Sequence, residues 1–190
     1  MEGSRPTAVH VADRALVLYA FVRRGSIELV IAGTDGDSFR IEQGDVARAE
    51  TDTWLEREGL REALADIERR LFDAPSGSWP AEATADAMWR KEALGVLLWA
   101  LQHVAEMPPY DREFEQQVLD GAITRYGSVR AFRTEGLLRP DDDVDRAWME
   151  ADAWFGVTEG RTGGDAWLAS IAAERYRALS WLRDADARPA

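Results

Sequence analysis

Trp89-Arg90-Lys91-Glu92-Ala93-Leu94-Gly95-Val96-Leu97-Leu98-Trp99-Ala100-Leu101 is the stretch whose reading decides the fold. From Ala93 to Leu101 no residue carries a charge or a strong polar group, so a helix there is apolar on every side, and such a helix is buried. These nine residues fall far short of the roughly 18 to 20 a membrane span requires, so the rest of the chain must bury them. The stretch predicts a central core helix over about 88–106, stopped by Pro108-Pro109, which cannot continue a helix.

The 190 residues, 46% hydrophobic and 31% charged, are long enough to close a core without disulfides or metal, and they read as one helical domain with an ordered body over 8–183. Eight tryptophans contribute large buried areas to that core. Cysteine is absent, which excludes disulfide frameworks, thiolate nucleophiles, thiolate zinc sites and iron–sulfur clusters. Only His10 and His103 are present, too few for a multi-histidine metal centre, and no cofactor motif is found. A net charge of −12, with arginines scattered rather than clustered, argues against nucleic acid as a partner. The N-terminus lacks a basic leader, and the apolar run Ala15–Val22 runs into Arg23-Arg24 instead of a small-residue cleavage site. The expectation is a cytoplasmic protein with no membrane segment.

Working outward, Val11, Ala12, Ala15, Leu16, Tyr19 and Val22 recur at helical spacing, with Gly25 as the predicted stop. The segment 26–42 is ambiguous. Asp35-Gly36 between β-compatible runs is a hairpin signal over about 27–42, whereas Ser26 can cap a short helix ending at Gly33 with a loop behind it; helix and loop is the preferred reading. A helix is predicted over 45–58, closing at Gly59. Leu60, Leu64, Ile67 and Leu71 then form an amphipathic stripe up to Pro75. Beyond the core helix come a helix over 112–125 with Phe114, Val118 and Ile123 inward, and a short one over 129–134. Another begins after Pro140, with Asp141, Asp142 and Asp143 at its positive end, a capping device rather than a metal site. A glycine-rich break over 156–164 precedes a last helix over 165–184. The fold class is all-α, a bundle of about seven or eight helices.

Charged residues in apolar places supply the only candidate site. On a helix, Trp89, Glu92, Val96, Trp99 and His103 share one face, which puts a carboxylate between two tryptophans on a buried element. In the last helix the apolar arc is interrupted only by Glu174 and Arg175. A guanidinium satisfies a carboxylate bidentately, so the spacing predicts that Arg175 pairs with Glu92 and docks the last helix on the central one. Two readings follow. In one, the pair is a buried structural link that sets helix register. In the other, Trp89, Trp99, Glu92 and His103 line a polar cleft with Arg90 or Glu174 at its mouth, and Glu92 is a general base or ligand anchor. Gly160-Arg161-Thr162-Gly163-Gly164-Asp165 is a faint phosphate-cradle pattern with no strand before it.

Several pieces of the chain resemble a bacterial family catalogued as domain of unknown function 4272. They are Trp89-Arg90 with Glu92-Ala93-Leu94 and Leu97-Leu98-Trp99-Ala100-Leu101, Leu138-Arg139-Pro140, and Glu174-Arg175 with Ala178-Leu179 and Trp181-Leu182. Arg14-Ala15-Leu16, Leu18-Tyr19-Ala20, Trp54-Leu55 and Gly59-Leu60 are also similar, so the likeness covers about residues 8–183; Ser180 stands where that family would carry Asn. The resemblance implies a helical domain and a linked Glu92 and Arg175, and it carries over no catalytic residue. Lacking a paired catalytic arrangement, the chain is expected to be a non-enzymatic interaction or regulatory module with a protein or small-molecule partner, the alternative being a small-molecule binder or small enzyme using the Trp/Glu/His cleft.

Overall fold

The computed structural model describes residues 4–34, 37–159 and 165–185, and among them every regular element is helical. Eight α-helices follow in order: α1 (Ala8–Ala32), α2 (Ser38–Arg57), α3 (Asp66–Asp73), α4 (Ala81–Ala100), α5 (Gln116–Thr124), α6 (Val129–Glu135), α7 (Asp141–Thr158) and α8 (Ala166–Arg183), with one 3-10 turn, Arg61–Ala63, before α3. No described helix is long and apolar enough to cross a membrane. The described chain groups into two compact units, Leu16–Arg90 and a second made from Met1–Ala15 with Lys91–Ala190, so the divisions fall inside α1 and α4.

In the unit Leu16–Arg90, α1 runs straight through Gly25, which overturns both the stop expected there and the possible hairpin over 27–42. A Cβ on Gly25 would stand 2.7 Å from the Ala87 Cβ, so this glycine lets α1 and α4 approach closely and does not end a helix. Three residues later Glu28, fully inside, takes the buried Arg24 guanidinium at 2.8 Å. Its two oxygens also accept the Gly77 and Trp79 N–H groups at 3.0 and 3.2 Å. Arg24 donates to Ser76 Oγ at 2.9 Å, so an ion pair on α1 fastens the chain between α3 and α4. Phe21, Phe72 and Trp79 stack alongside it, with centroids 5.9 and 5.2 Å from Phe21.

α2 starts seven residues earlier than the 45–58 reading, because Asp37 caps it by accepting the Phe39 N–H at 3.0 Å. It ends as expected: Gly59 has φ +68°, its N–H bonds the Glu56 carbonyl and the Leu60 N–H bonds Leu55. The stripe 60–71 is split into the 3-10 turn and α3, so Ile67 faces solvent and Phe72 is the residue that goes inside.

In the other unit, every residue from Ala93 to Leu101 is buried, as a helix apolar all round demands. Gly95 admits the Phe114 ring: a Cβ there would lie 2.3 Å from it. Phe114 precedes α5 rather than lying within it, and α5 turns Leu119 and Ala122 inward while Val118 is exposed, contrary to the 112–125 reading. α7 opens on Asp141, Asp142 and Asp143 at the positive end of its dipole, without the side-chain capping bond expected of them, and it continues past Gly156 to Thr158. The phosphate-cradle pattern, Asp165 apart, lies outside the described residues.

Candidate functional site

α4 stops at Ala100, six residues short of the expected end, before the prolines are reached. Gln102 sits at φ +61° and donates its N–H to Trp99, and the His103 N–H reaches back to Leu98 at 2.8 Å. These two bonds close the helix on a left-handed residue, a role usually filled by glycine. Arg139 finishes the cap. Its N–H bonds the Ala100 carbonyl and its Nε the Trp99 carbonyl, both at 2.8 Å, while Nη2 reaches Ala105 at 2.7 Å and the guanidinium stacks 4.7 Å from the Trp99 ring. A cation here meets the negative end of the helix dipole. The early stop takes His103 off the face it was expected to share with Glu92 and Trp99.

The Glu92 and Arg175 side chains meet, both 0% exposed. Glu92 Oε1 accepts the Phe114 N–H at 2.9 Å; Oε2 accepts Arg175 Nε at 2.9 Å and lies 2.8 Å from Nη2. The guanidinium also donates to the carbonyls of Pro108 (2.6 Å), Pro109 (3.3 Å) and Arg112 (2.7 Å), and it lies against the rings of Tyr110 and Phe114 at 5.0 and 5.1 Å. One arginine thus ties α8 to α4 and to the whole 108–114 connection. Burial pushes the Glu92 carboxyl up, opposed by Arg175 and the Phe114 N–H. The pair nonetheless stays ionised at neutral pH, because protonating Glu92 would leave the guanidinium as an uncompensated buried charge.

The remaining cleft residues do not join this pair. Trp89 and Arg90 are half-buried and belong to the other unit. Trp99 is engaged by Arg139, and Glu174 pairs with Arg177 one turn on, at the 11% exposed edge of α8. His103 lies in a second cluster: its Nδ1 is 2.6 Å from the Tyr126 hydroxyl, which also accepts from Arg125 at 2.8 Å. Tyr110 was missed by sequence reasoning. It is buried, stacked on Trp154 at 5.4 Å, and its hydroxyl has no hydrogen-bond partner; burial pushes that phenol well above the ordinary tyrosine range. Its position directly after the two-proline break offered no periodicity from which to place it. Among the described residues no group of three or more acidic or histidine side chains is arranged to hold a metal ion.

Chemically, Glu92 has both oxygens occupied and is fully enclosed in this arrangement. What the surface does offer is α7. Met149 (60% exposed), Trp154 (36%) and Val157 (63%) lie outward with exposed Ala153 and Gly156, opposite the buried Val144, Ala147, Ala151 and Thr158. These apolar side chains share the exposed surface of α7 with Arg146, Glu150 and Asp152. The sequence model of a family described as domain of unknown function (DUF4272) matches residues 2–188. No curated protein and no solved structure matches the chain.

Proposed function

The chain belongs to the DUF4272 family, and from that premise we propose that it is a non-enzymatic interaction or regulatory module acting in the bacterial cytoplasm. The observation that carries this reading is the saturation of the Glu92–Arg175 constellation: the most suggestive charges in the sequence are spent on one another and on backbone, which leaves neither of them poised for acid–base work. The exposed Met149, Trp154 and Val157 of α7 support it, since large apolar side chains in water are what a partner surface buries. The alternative, a ligand cleft on α4, requires solvent access to a carboxylate that is fully enclosed.

Two measurements test the proposal. A photo-crosslinking residue at Ala153 gives a discrete adduct with a second polypeptide in producing cells, while the same residue at the exposed Arg130 does not. A thermal-shift screen against metabolites gives no specific rise in Tm, because only a ligand that favours the folded state raises it. A saturable rise that Glu92→Gln abolishes without unfolding the chain would overturn the reading in favour of a small-molecule site.

A further inference from the structure

The cluster at the C-terminal end of α4 is built differently from the Glu92–Arg175 pair. His103 is 5% exposed and its ring is held between Tyr126 and Phe132, with centroids at 4.7 and 4.6 Å, while Tyr126 and Phe132 meet edge-on at 5.6 Å. Arg125 Nη2 donates to the His103 carbonyl at 3.0 Å and to the Tyr126 hydroxyl at 2.8 Å, and its guanidinium lies 4.9 Å from the Tyr126 ring. Hydrogen-bond direction then assigns the proton. A guanidinium only donates, so the Tyr126 oxygen accepts from Arg125, which leaves its own hydrogen available to His103 Nδ1. In that arrangement Nδ1 is the bare nitrogen, the proton sits on Nε2, and the imidazole is neutral. Nε2 makes no well-formed hydrogen bond of its own, in a space so close that a Cβ on Gly136 would lie 3.4 Å away.

We propose that His103 is an acid-sensitive latch: neutral, it holds the turn Arg125–Ser128 and helix α6 against the end of α4, and its protonation releases them. A proton on Nδ1 turns the acceptor of the Tyr126 hydrogen bond into a second donor aimed at the same oxygen, beside the Arg125 charge and out of water. The charged and titratable groups facing the ring are few. Arg125 and Tyr126 lie on the turn after α5, and Glu135 on α6; Arg139 bonds the adjacent Val104 carbonyl. Burial, reinforced by Arg125, holds the imidazole below its ordinary value, while the Phe132 carbonyl and Glu135 act more weakly in the other direction. With the folded-state value depressed, the stabilisation is complete above the unfolded value of about 6.5 and is lost as pH falls from there towards the folded value. The latch is independent of the interaction reading and stands or falls by itself.

The test uses the full chain. Nitrogen-15 NMR shows His103 as the Nε2–H tautomer, titrating below the ordinary imidazole value of about 6.5. Hydrogen exchange, corrected for its intrinsic pH dependence, rises by up to about tenfold in residues 125–136 between about pH 7.5 and 5.5, while α8 stays protected. Tyr126→Phe, which removes only the hydroxyl, shows the fast exchange already at the higher pH. In His103→Asn the acceleration on acidification disappears. Titration of His103 at or above about 6.5, or exchange over 125–136 that is the same at both pH values in the unaltered chain, would overturn the proposal. So would a Tyr126→Phe chain that keeps the slow exchange.

Discussion

Replacing Arg175 by Met removes the one side chain that closes the Glu92 site, and the structure gives the size of the effect. Breaking a fully buried ion pair by deleting one partner costs about 4 kcal/mol, because the survivor is left charged in a dry interior. The carbonyls of Pro108 and Arg112 lose their guanidinium donors, each worth about 1 kcal/mol, whereas the Pro109 carbonyl keeps the Arg112 N–H at 3.0 Å. The expected total is about 6 kcal/mol, comparable with the whole stability of an ordinary domain. Glu92→Met combined with Arg175→Met removes the orphaned carboxylate but not the orphaned carbonyls. The double variant is therefore more stable than Arg175→Met alone and less stable than the native chain, with a coupling of about 3 kcal/mol in the cycle. Urea unfolding followed by tryptophan fluorescence gives all four corners. Should Arg175→Met fail to fold, Arg175→Lys keeps the charge but cannot span the five acceptor contacts, and it is expected to cost about 2 kcal/mol. A cost below about 1 kcal/mol for Arg175→Met, or a double variant weaker than the single, would refute this account of the pair.

Other substitutions probe other points of the fold. Gly95→Ala gains about 1 kcal/mol of helix propensity but drives a methyl into the Phe114 ring, so a net loss of about 2 kcal/mol is expected in urea unfolding. Gln102→Gly relieves the left-handed backbone at the end of α4 and is expected to stabilise by about 1 kcal/mol, read as a Tm rise of a few degrees by calorimetry. Tyr110→Phe removes a buried hydroxyl that bonds nothing; its unfolding free energy should equal or exceed that of the native chain, and a loss above about 1 kcal/mol would show that the hydroxyl has a partner.

The pairing of Glu92 with Arg175 was legible because two independent patterns each contained one charge of opposite sign where only apolar residues belonged, and a buried charge has to find a partner. The matching pair Arg24–Glu28 has the same form, four residues apart between Val22 and Ile31, but a helix stop at Gly25 hides it, because the two members then share no face. His103 was placed on the wrong face for a related reason. Its assignment assumed that α4 continued to the prolines, and no glycine marks the earlier stop. The Tyr126 and Arg125 partners of His103 lie 23 and 22 residues away, beyond any helical spacing.

By itself the sequence determined what depends on local chemistry and on the exclusion of water: helices rather than strands, a mid-chain helix buried on all sides, the close of α2 at Gly59, and the need of Glu92 for a cation. These follow from backbone preference and from the free energy of hiding apolar or charged groups, which are properties of a residue and its near neighbours. Only the tertiary structure decided where α1 and α4 end, because both decisions rest on atoms distant in sequence. Ala87 needs Gly25 to have no side chain, and Arg139 supplies the carbonyl partners that let the chain turn at Gln102 despite its positive φ.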